Sequence, residues 1–181
     1  MSDLWVFGYG SLMWRPGFPH VETVPARLHG AHRALCVWSV SHRGTSSKPG
    51  LVLGLDKGGS CRGVAFRVAE DKGDSVKVYL RARELITHIY REVYRPVKLE
   101  GSDDRTVNAL VYVVDRRHRD YAGVLPPEVA LEIVRGGHGD SGPNRDYVVN
   151  TVNHLKQLGI RDPALEWIAG KLEDDALMPQ N

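Results

Sequence analysis

The first strand of the fold, and the turn that ends it, are encoded in the stretch WVFGYGSLMW, residues 5–14. Residues 4–8 are mainly apolar and predict a short strand. Gly8 and Gly10, on either side of Tyr9, then break that strand. Two glycines here suit either a tight turn or a loop whose backbone N–H groups approach an anionic group closely. The residues alone leave both interpretations open.

Two short motifs suggest functions that the rest of the chain does not support. A dinucleotide fingerprint needs Gly-x-Gly-x-x-Gly and then a helix, but Met13 stands at the third glycine position and residues 14–17 are unsuited to open a helix. The segment GDSGP, residues 139–143, is similar to the nucleophile loop of trypsin-like proteases. The chain is short for that two-barrel fold and has too few cysteines, so we interpret this segment as a loop that caps a helix near Asn144.

Composition limits the classes of function. The chain has 181 residues and a net charge of +2, which favours one domain over residues 1–181 and gives no reason to expect nucleic-acid binding. Two cysteines, Cys36 and Cys61, form neither a disulfide framework nor a metal-binding pair, and the eight histidines show no ligand spacing. We therefore expect a cytoplasmic protein without metal or cofactor. No signal peptide and no membrane-spanning segment is predicted.

The order of predicted elements indicates an α+β fold. Most strands come early, helices dominate the last third, and one helix interrupts the strands, which favours a small mixed barrel with flanking helices over a doubly wound sheet. Turn signals include residues 48–50 and 57–59. Strands are predicted at residues 4–8, 22–30, 32–40, 51–56, 61–68, 89–99 and 107–115, and helices at residues 74–84, 126–135, 144–158 and 163–174.

Glu84 closes the predicted helix of residues 74–84, and a helical wheel places it beside Leu80 at the edge of the apolar face. A solvent-exposed charge is the usual fate of a glutamate. At the negative end of a helix, however, the pKa of the carboxyl group would be raised, which suits proton transfer near neutral pH. In a second polar segment, residues 42–50, Arg43 suits either a solvent-facing hairpin or the binding of a carboxylate.

Taken together, the segments resemble the ChaC family of γ-glutamylcyclotransferases. The resemblance spans nearly the whole chain and rests on VFGYGSL, HRG followed by KPG, GLDKGGSCRGVAFRV, YLRARE and SGPNRDYV, in that order. It implies a small mixed β-barrel flanked by helices. It also implies the cleavage of glutathione to 5-oxoproline and cysteinylglycine, through attack of the glutamyl α-amine on the γ-carbonyl.

The resemblance also implies roles for individual residues. Glu84 falls on the family's catalytic glutamate, and Tyr147 aligns with a tyrosine that we expect to reach the site. The substrate-binding loop comprises Phe7, Gly8, Tyr9, Gly10, Ser11 and Leu12, and we add Arg43 as a candidate for a substrate carboxylate. The residues after Glu84 are LITHIY, where some family members have a short glycine-containing turn.

Two alternatives remain on the sequence alone. The same loop and glutamate would serve a cyclotransferase for other γ-glutamyl amines or dipeptides. A binding protein that regulates a transport partner would keep the fold without turnover, although such a protein has little use for a base at Glu84. The sequence does not determine the oligomeric state.

Overall fold

The structure, a computed structural model, describes residues 3–101 and 105–177. Its internal contacts divide the chain into two compact units. The first unit comprises residues 1–34 and 54–118, and the second comprises residues 35–53 and 119–181. The single domain that the sequence suggests over residues 1–181 stays a prediction.

The first unit contains a closed five-stranded barrel in the order β1-β3-β2-β4-β5. Strand β1 pairs antiparallel with β3 and parallel with β5, while β4 pairs antiparallel with both β2 and β5. The predicted α+β class with a small mixed barrel and flanking helices is thus confirmed. The strands are β1 (Leu4–Gly8), β2 (Glu22–Ser39), β3 (Gly50–Val68), β4 (Tyr90–Leu99) and β5 (Thr106–Val114).

Strands β2 and β3 are longer than the sequence predicts. The expectation of two strands at 22–30 and 32–40, and of two more at 51–56 and 61–68, is wrong, because one continuous strand replaces each pair. Gly58 and Gly59, which signalled a turn, have φ angles of +100° and +69° inside β3. Glycine adopts such angles without strain, so a local irregularity is accommodated without ending the strand. The end of β2 from residue 35 and the start of β3 to residue 53 belong to the second unit.

Alternating residues of the barrel strands form the core of the first unit. Helix α1 (Gly73–Glu84), which the sequence predicts almost to its bounds, buries Val76 and Leu80. Tyr9 and four valines pack against the core from partly buried positions. The core cluster comprises Trp5, Phe7, Ala26, Leu28, Ala31, Leu55, Cys61, Ala65, Val97, Leu99, Ala109 and Val111.

Three helices make up most of the second unit: α2 (Pro127–Gly136), α3 (Asn144–Gln157) and α4 (Pro163–Leu177). Each corresponds to a predicted helix, and each has an apolar face that is buried. Between α2 and α3, residues 138–139 pair with 142–143 in a short antiparallel hairpin. None of the helices in the described ranges combines the length and apolarity that crossing a membrane requires.

Candidate functional site

The chain leaves β1 through a bend and enters a single turn of 3-10 helix, Ser11–Met13. The N–H of Met13 donates to the carbonyl of Gly10 at 2.9 Å, and the N–H of Arg15 donates to that of Ser11 at 2.8 Å. Ser11 and Leu12 come before the first N–H donor of this turn, which is that of Met13. The turn therefore provides no carbonyl acceptor for the N–H groups of Ser11 and Leu12. This segment, residues 7–12, is the predicted substrate-binding loop, and we call it the Gly-Tyr-Gly loop.

The side chains of this loop divide between core and surface. Phe7 is 1% exposed and belongs to the barrel core, and Leu12 is 6% exposed. Tyr9 is partly buried against the core, while Ser11 is exposed. Any contact of Phe7 or Leu12 with a ligand would therefore be made by the main chain.

Two residues that the sequence analysis did not single out fix the Gly-Tyr-Gly loop in place. The buried Arg33 donates from Nε to the carbonyl of Tyr9 at 2.6 Å and from Nη2 to that of Arg62 at 2.7 Å. Gly63 lies against the loop backbone, since a Cβ there would be 2.2 Å from the Gly8 carbonyl oxygen. Arg33 and Gly63 thus act on the loop from strands β2 and β3.

Glu84 is the last residue of α1, and its side chain is 19% exposed. Burial raises the pKa of its carboxyl group, and the neighbouring Arg83 guanidinium acts in the opposite direction. The raised pKa agrees with the sequence-based expectation. Burial is the main cause of this shift, and the expected contribution from the negative end of the helix stays a prediction.

Arg83 connects Glu84 to the Gly-Tyr-Gly loop. Its Nε lies 3.2 Å from Glu84 Oε1, and its Nη2 donates to Ser11 Oγ at 2.9 Å. Its Nη1 donates to the carbonyls of Arg15 and Pro16 at 2.6 and 3.2 Å. One partly buried guanidinium, 22% exposed, therefore holds the carboxylate and the loop in a fixed relation.

A second polar group lies near Glu84 on the neighbouring strands. Tyr112 donates its hydroxyl to Glu92 at 3.0 Å, and Glu92 forms a bidentate pair with Arg81 at 2.8 and 2.9 Å. Burial, above all, raises the pKa of Tyr112, and the negative charges of Glu92 and Glu84 add to the effect. Tyr112 therefore stays protonated, within the electrostatic reach of Glu84.

Arg43 and Tyr147 both lie in the second unit, where each has a defined partner. Arg43 stacks over the Tyr147 ring, with 5.5 Å from Cζ to the ring centroid, and donates to the carbonyls of Ser141 and Pro143 at 2.6 and 3.3 Å. The hydroxyl of Tyr147 accepts a hydrogen bond from the N–H of Leu53 at 3.0 Å. Their predicted contact with a substrate stays a prediction.

The GDSGP segment forms the short hairpin before α3, and Asn144 is the first residue of that helix. As expected, the segment provides the N-cap residue of this helix, Pro143, although no side-chain hydrogen bond caps it. The Asn144 side chain is fully buried and bonds instead to Leu51 of β3. Its Oδ1 accepts from the Leu51 N–H at 2.7 Å, and its Nδ2 donates to the Leu51 carbonyl at 2.8 Å.

Of the residues that sequence reasoning missed, Arg83 had the clearest signal, because it precedes Glu84 in YLRARE and occupies the same last turn of α1. Gly63 stood within the quoted segment GLDKGGSCRGVAFRV. Cys36 and Cys61 are buried in β2 and β3 and do not form a disulfide with each other. Within the described residues, no group of three or more His, Cys, Asp or Glu side chains is arranged to hold a metal ion.

Comparison with known proteins gives a consistent result. The family described as ChaC-like protein matches residues 4–174. The glutathione-specific γ-glutamylcyclotransferase of Escherichia coli is 36% identical over 164 residues, which cover 91% of this chain and 70% of that protein. The glutathione-specific γ-glutamylcyclotransferase of Schizosaccharomyces pombe is 33% identical over 177 residues, which cover 87% of this chain and 85% of that protein.

A solved structure also resembles this fold. A crystal structure of a selenomethionine-labelled γ-glutamyl cyclotransferase specific to glutathione, from yeast, superposes with a TM-score of 0.84. The two chains share 22% identity over 96% of this chain and 97% of that one. At this identity the superposition demonstrates a common fold.

Proposed function

Because the chain belongs to the ChaC-like protein family, we propose that it is a glutathione-specific γ-glutamylcyclotransferase. It cleaves glutathione into 5-oxoproline and cysteinylglycine. The two relatives named above carry this activity in their names. The structural observation that carries the proposal is the contact of Arg83 with both Glu84 and Ser11, because it joins a partly buried carboxylate to a loop with available backbone donors.

The substrate carries its own nucleophile. The α-amino nitrogen of the glutamyl group bonds to the γ-carbonyl carbon, the amide bond to cysteine breaks, and a five-membered lactam results. Holding the glutamyl group curled for this attack is worth about 7–11 kcal/mol relative to a bimolecular reaction. The reaction requires a base, donors for the developing oxyanion and a proton for the leaving amine.

Glu84 is the proposed base. The α-ammonium of the substrate has an ordinary pKa of about 8 and must lose a proton before it can attack. Since burial raises the pKa of Glu84, the carboxylate is closer in basicity to that amine than an exposed glutamate is. Glu84 then returns the proton to the departing amine of cysteinylglycine, so the protons balance and the carboxylate is regenerated.

The Gly-Tyr-Gly loop is the proposed substrate-binding element. The backbone N–H groups of Ser11 and Leu12 are suited to donate hydrogen bonds to a negatively charged oxygen of the substrate or to the oxyanion, and Phe7 anchors the loop in the core. Arg43 and Tyr147 stay in the proposed binding set. Arg43 acts there by holding the loop of residues 141–143, to which it already donates.

This mechanism assigns no step to a metal or an organic cofactor. We propose that the enzyme acts in the cytoplasm on a small-molecule substrate. Chelation with EDTA should then leave the rate unchanged. Loss of activity that a divalent cation restores would contradict this part of the proposal.

The test is to incubate the purified protein with reduced glutathione and to assay for 5-oxoproline and cysteinylglycine. Both products should appear in equal amounts. N-acetylglutathione should give neither, because its nitrogen can no longer attack. Release of cysteinylglycine from the acetylated compound would show hydrolysis by water. A faster reaction with other γ-glutamyl dipeptides would exclude specificity for glutathione but not the cyclotransferase chemistry.

A further inference from the structure

A cavity of about 610 Å³ lies in the first unit, directly against the barrel core. Ala31 and Leu55 belong to both the core cluster and the cavity wall, and Val113, which packs on the core, also lines the cavity. The volume falls within the roughly 300–1,000 Å³ typical of small-molecule sites. The cavity therefore has an apolar floor and the size of a ligand pocket.

The cavity is separate from the carboxylate of the proposed active site. Arg91 and Arg95 of β4 line it, and their partners on β5 are Val113 and Ala109. Glu92, the next residue of β4, pairs with Tyr112. Because successive side chains of a strand point to opposite faces, Arg91, Arg95 and Val113 point away from the face that carries Glu92 and Tyr112, and Glu84 is not among the residues that line the cavity.

The wall of this cavity is strongly cationic. Five cationic side chains line it against two carboxylates, which leaves three positive charges, whereas the whole chain has a net charge of +2. A concave, partly apolar surface with charge of one sign concentrates the electric field and attracts small ions of the opposite sign. The lysine and arginines are Lys57, Arg91, Arg95, Arg116 and Arg117, and the carboxylates are Asp56 and Asp115.

The two carboxylates already have partners. Asp56, which is 1% exposed, accepts from Arg116 Nε at 2.6 Å and from the N–H of Lys57 at 2.8 Å. Asp115 accepts from the N–H of Arg117 at 3.0 Å. These contacts set the positions of Arg116 and Arg117 at the edge of the cavity.

The other three cations are not neutralised in this way. Within residues 3–101 and 105–177, the side chains of Arg91, Arg95 and Lys57 make no hydrogen bond or ion pair, whereas most other arginines there contact a carboxylate or a carbonyl. Arg91 and Arg95 lie four residues apart on one strand, about 13 Å between Cα atoms. Their long side chains can converge on one ligand that carries several negative charges.

We propose that this cavity binds a small organic anion with two or more phosphate or carboxylate charges, held by Arg91, Arg95 and Lys57. The apolar floor of Ala31, Leu55 and Val113 receives the uncharged part of the ligand. The inference rests on the barrel alone and is independent of the proposed cyclotransferase activity.

The experiment measures binding by titration calorimetry on the full-length protein. The probes are ADP, inorganic tripolyphosphate, citrate and the uncharged adenosine. The test variant is R91Q/R95Q, and the control, R119Q/K171Q, removes two exposed positive charges outside the cavity. A third variant, K57Q, tests the third proposed cation independently and should also weaken binding. Melting temperatures verify that each variant is folded.

We expect at least one multiply charged probe to bind and adenosine to bind much more weakly. The R91Q/R95Q variant should raise the Kd of the charged probe about tenfold or more. The control should stay within about twofold of the parent. Preference for tripolyphosphate or citrate would distinguish phosphate from carboxylate ligands. The proposal is overturned if no charged probe binds below about 1 mM, or if test and control variants weaken binding equally.

Discussion

The substitution Glu84→Gln tests the proposed base most directly, because glutamine keeps the size of the side chain but cannot accept the ammonium proton. Loss of a general base costs about 10²–10⁴ in rate. That corresponds to about 3–5 kcal/mol of transition-state free energy. Affinity for glutathione should persist, since the Gly-Tyr-Gly loop is the proposed binding element.

The structure also limits the effect of this substitution on stability. Arg83 loses its ion pair but keeps Ser11, Arg15 and Pro16 as acceptors, and the glutamine amide oxygen can also accept, so this partly buried cation is not left without a hydrogen bond. A partly exposed ion pair contributes at most about 1 kcal/mol to the free energy of unfolding. Removal of a partly buried charge has the opposite, stabilising effect, because the folded protein no longer has to keep that charge away from water. We expect a change within about 1 kcal/mol, or about 2–4 °C in melting temperature for a chain of this size.

The pH dependence gives a second signature of Glu84. Burial raises its pKa above the ordinary value of 4.5, so the folded protein binds this proton more tightly than the unfolded chain does. The contribution of Glu84 to stability is therefore full below pH 4.5 and declines as the pH rises through the raised pKa. The Glu84→Gln variant lacks this decline, and its unfolding free energy should improve relative to the parent over the same range. Turnover by the parent should rise there as the carboxylate ionises.

The assay records turnover, glutathione affinity and melting temperature from acid to neutral pH. Asp74→Asn is the matched control, because it changes a carboxylate to an amide on the same helix at a fully exposed side chain. Glu92 is unsuitable as a control, since it pairs with Arg81 and accepts from Tyr112. If Glu84→Gln turned over glutathione within a few-fold of the parent, the catalytic assignment would fail even though family membership stood.

Three further substitutions test the supports of the site and the second unit. Arg83→Met should lower kcat about 10–100-fold by removing charged hydrogen bonds and should move the acid limb of the pH–rate profile to higher pH, with Arg83→Lys restoring part of both. Gly63→Ala should cost about 2 kcal/mol or more in urea unfolding, because its Cβ meets the Gly8 carbonyl oxygen, whereas Gly170→Ala, in open space on α4, should stabilise by about 0.5–1 kcal/mol. Asn144→Ala should cost about 2–4 kcal/mol in the same assay, because it leaves both backbone groups of Leu51 without their partners. A loss below about 0.5 kcal/mol for Gly63→Ala or Asn144→Ala, or an unmoved acid limb for Arg83→Met, would refute the corresponding contact.

The helices were predictable because each carries a long apolar periodicity, and their bounds differ from the prediction by at most a few residues. The strand bounds were less predictable than the helix bounds, because Gly58 and Gly59 give the same local signal whether a strand ends or contains an irregularity. Pairing with neighbouring strands decides between these outcomes, and a single sequence does not contain that information in local form. The continuity of β2 and β3 therefore had to come from the structure.

In the candidate site, too, local properties were predictable from the sequence, whereas contacts between distant residues were not. The position of Glu84 at the end of α1 is a local property and was predicted correctly, whereas its burial depends on what packs around it. Arg33 acts on Tyr9 from 24 residues away, and Gly63 contacts the Gly8 carbonyl from another strand. Neither residue type is unusual in its segment, so only the three-dimensional contact distinguishes them.

Arg83 links the partly buried carboxylate of Glu84 to the Gly-Tyr-Gly loop, and on the proposed mechanism these two elements act together. Burial alone would make Glu84 a stronger base and also favour its neutral form, which cannot take a proton. The adjacent guanidinium opposes that tendency, because its positive charge lowers the pKa of Glu84 and favours the ionised form. The same guanidinium also holds Ser11, and movement of the loop would therefore alter the charge environment of the base. On the proposed roles of Glu84 and the loop, base strength and substrate binding are coupled through one side chain, and we therefore expect Arg83→Met to change the pH profile as well as the rate.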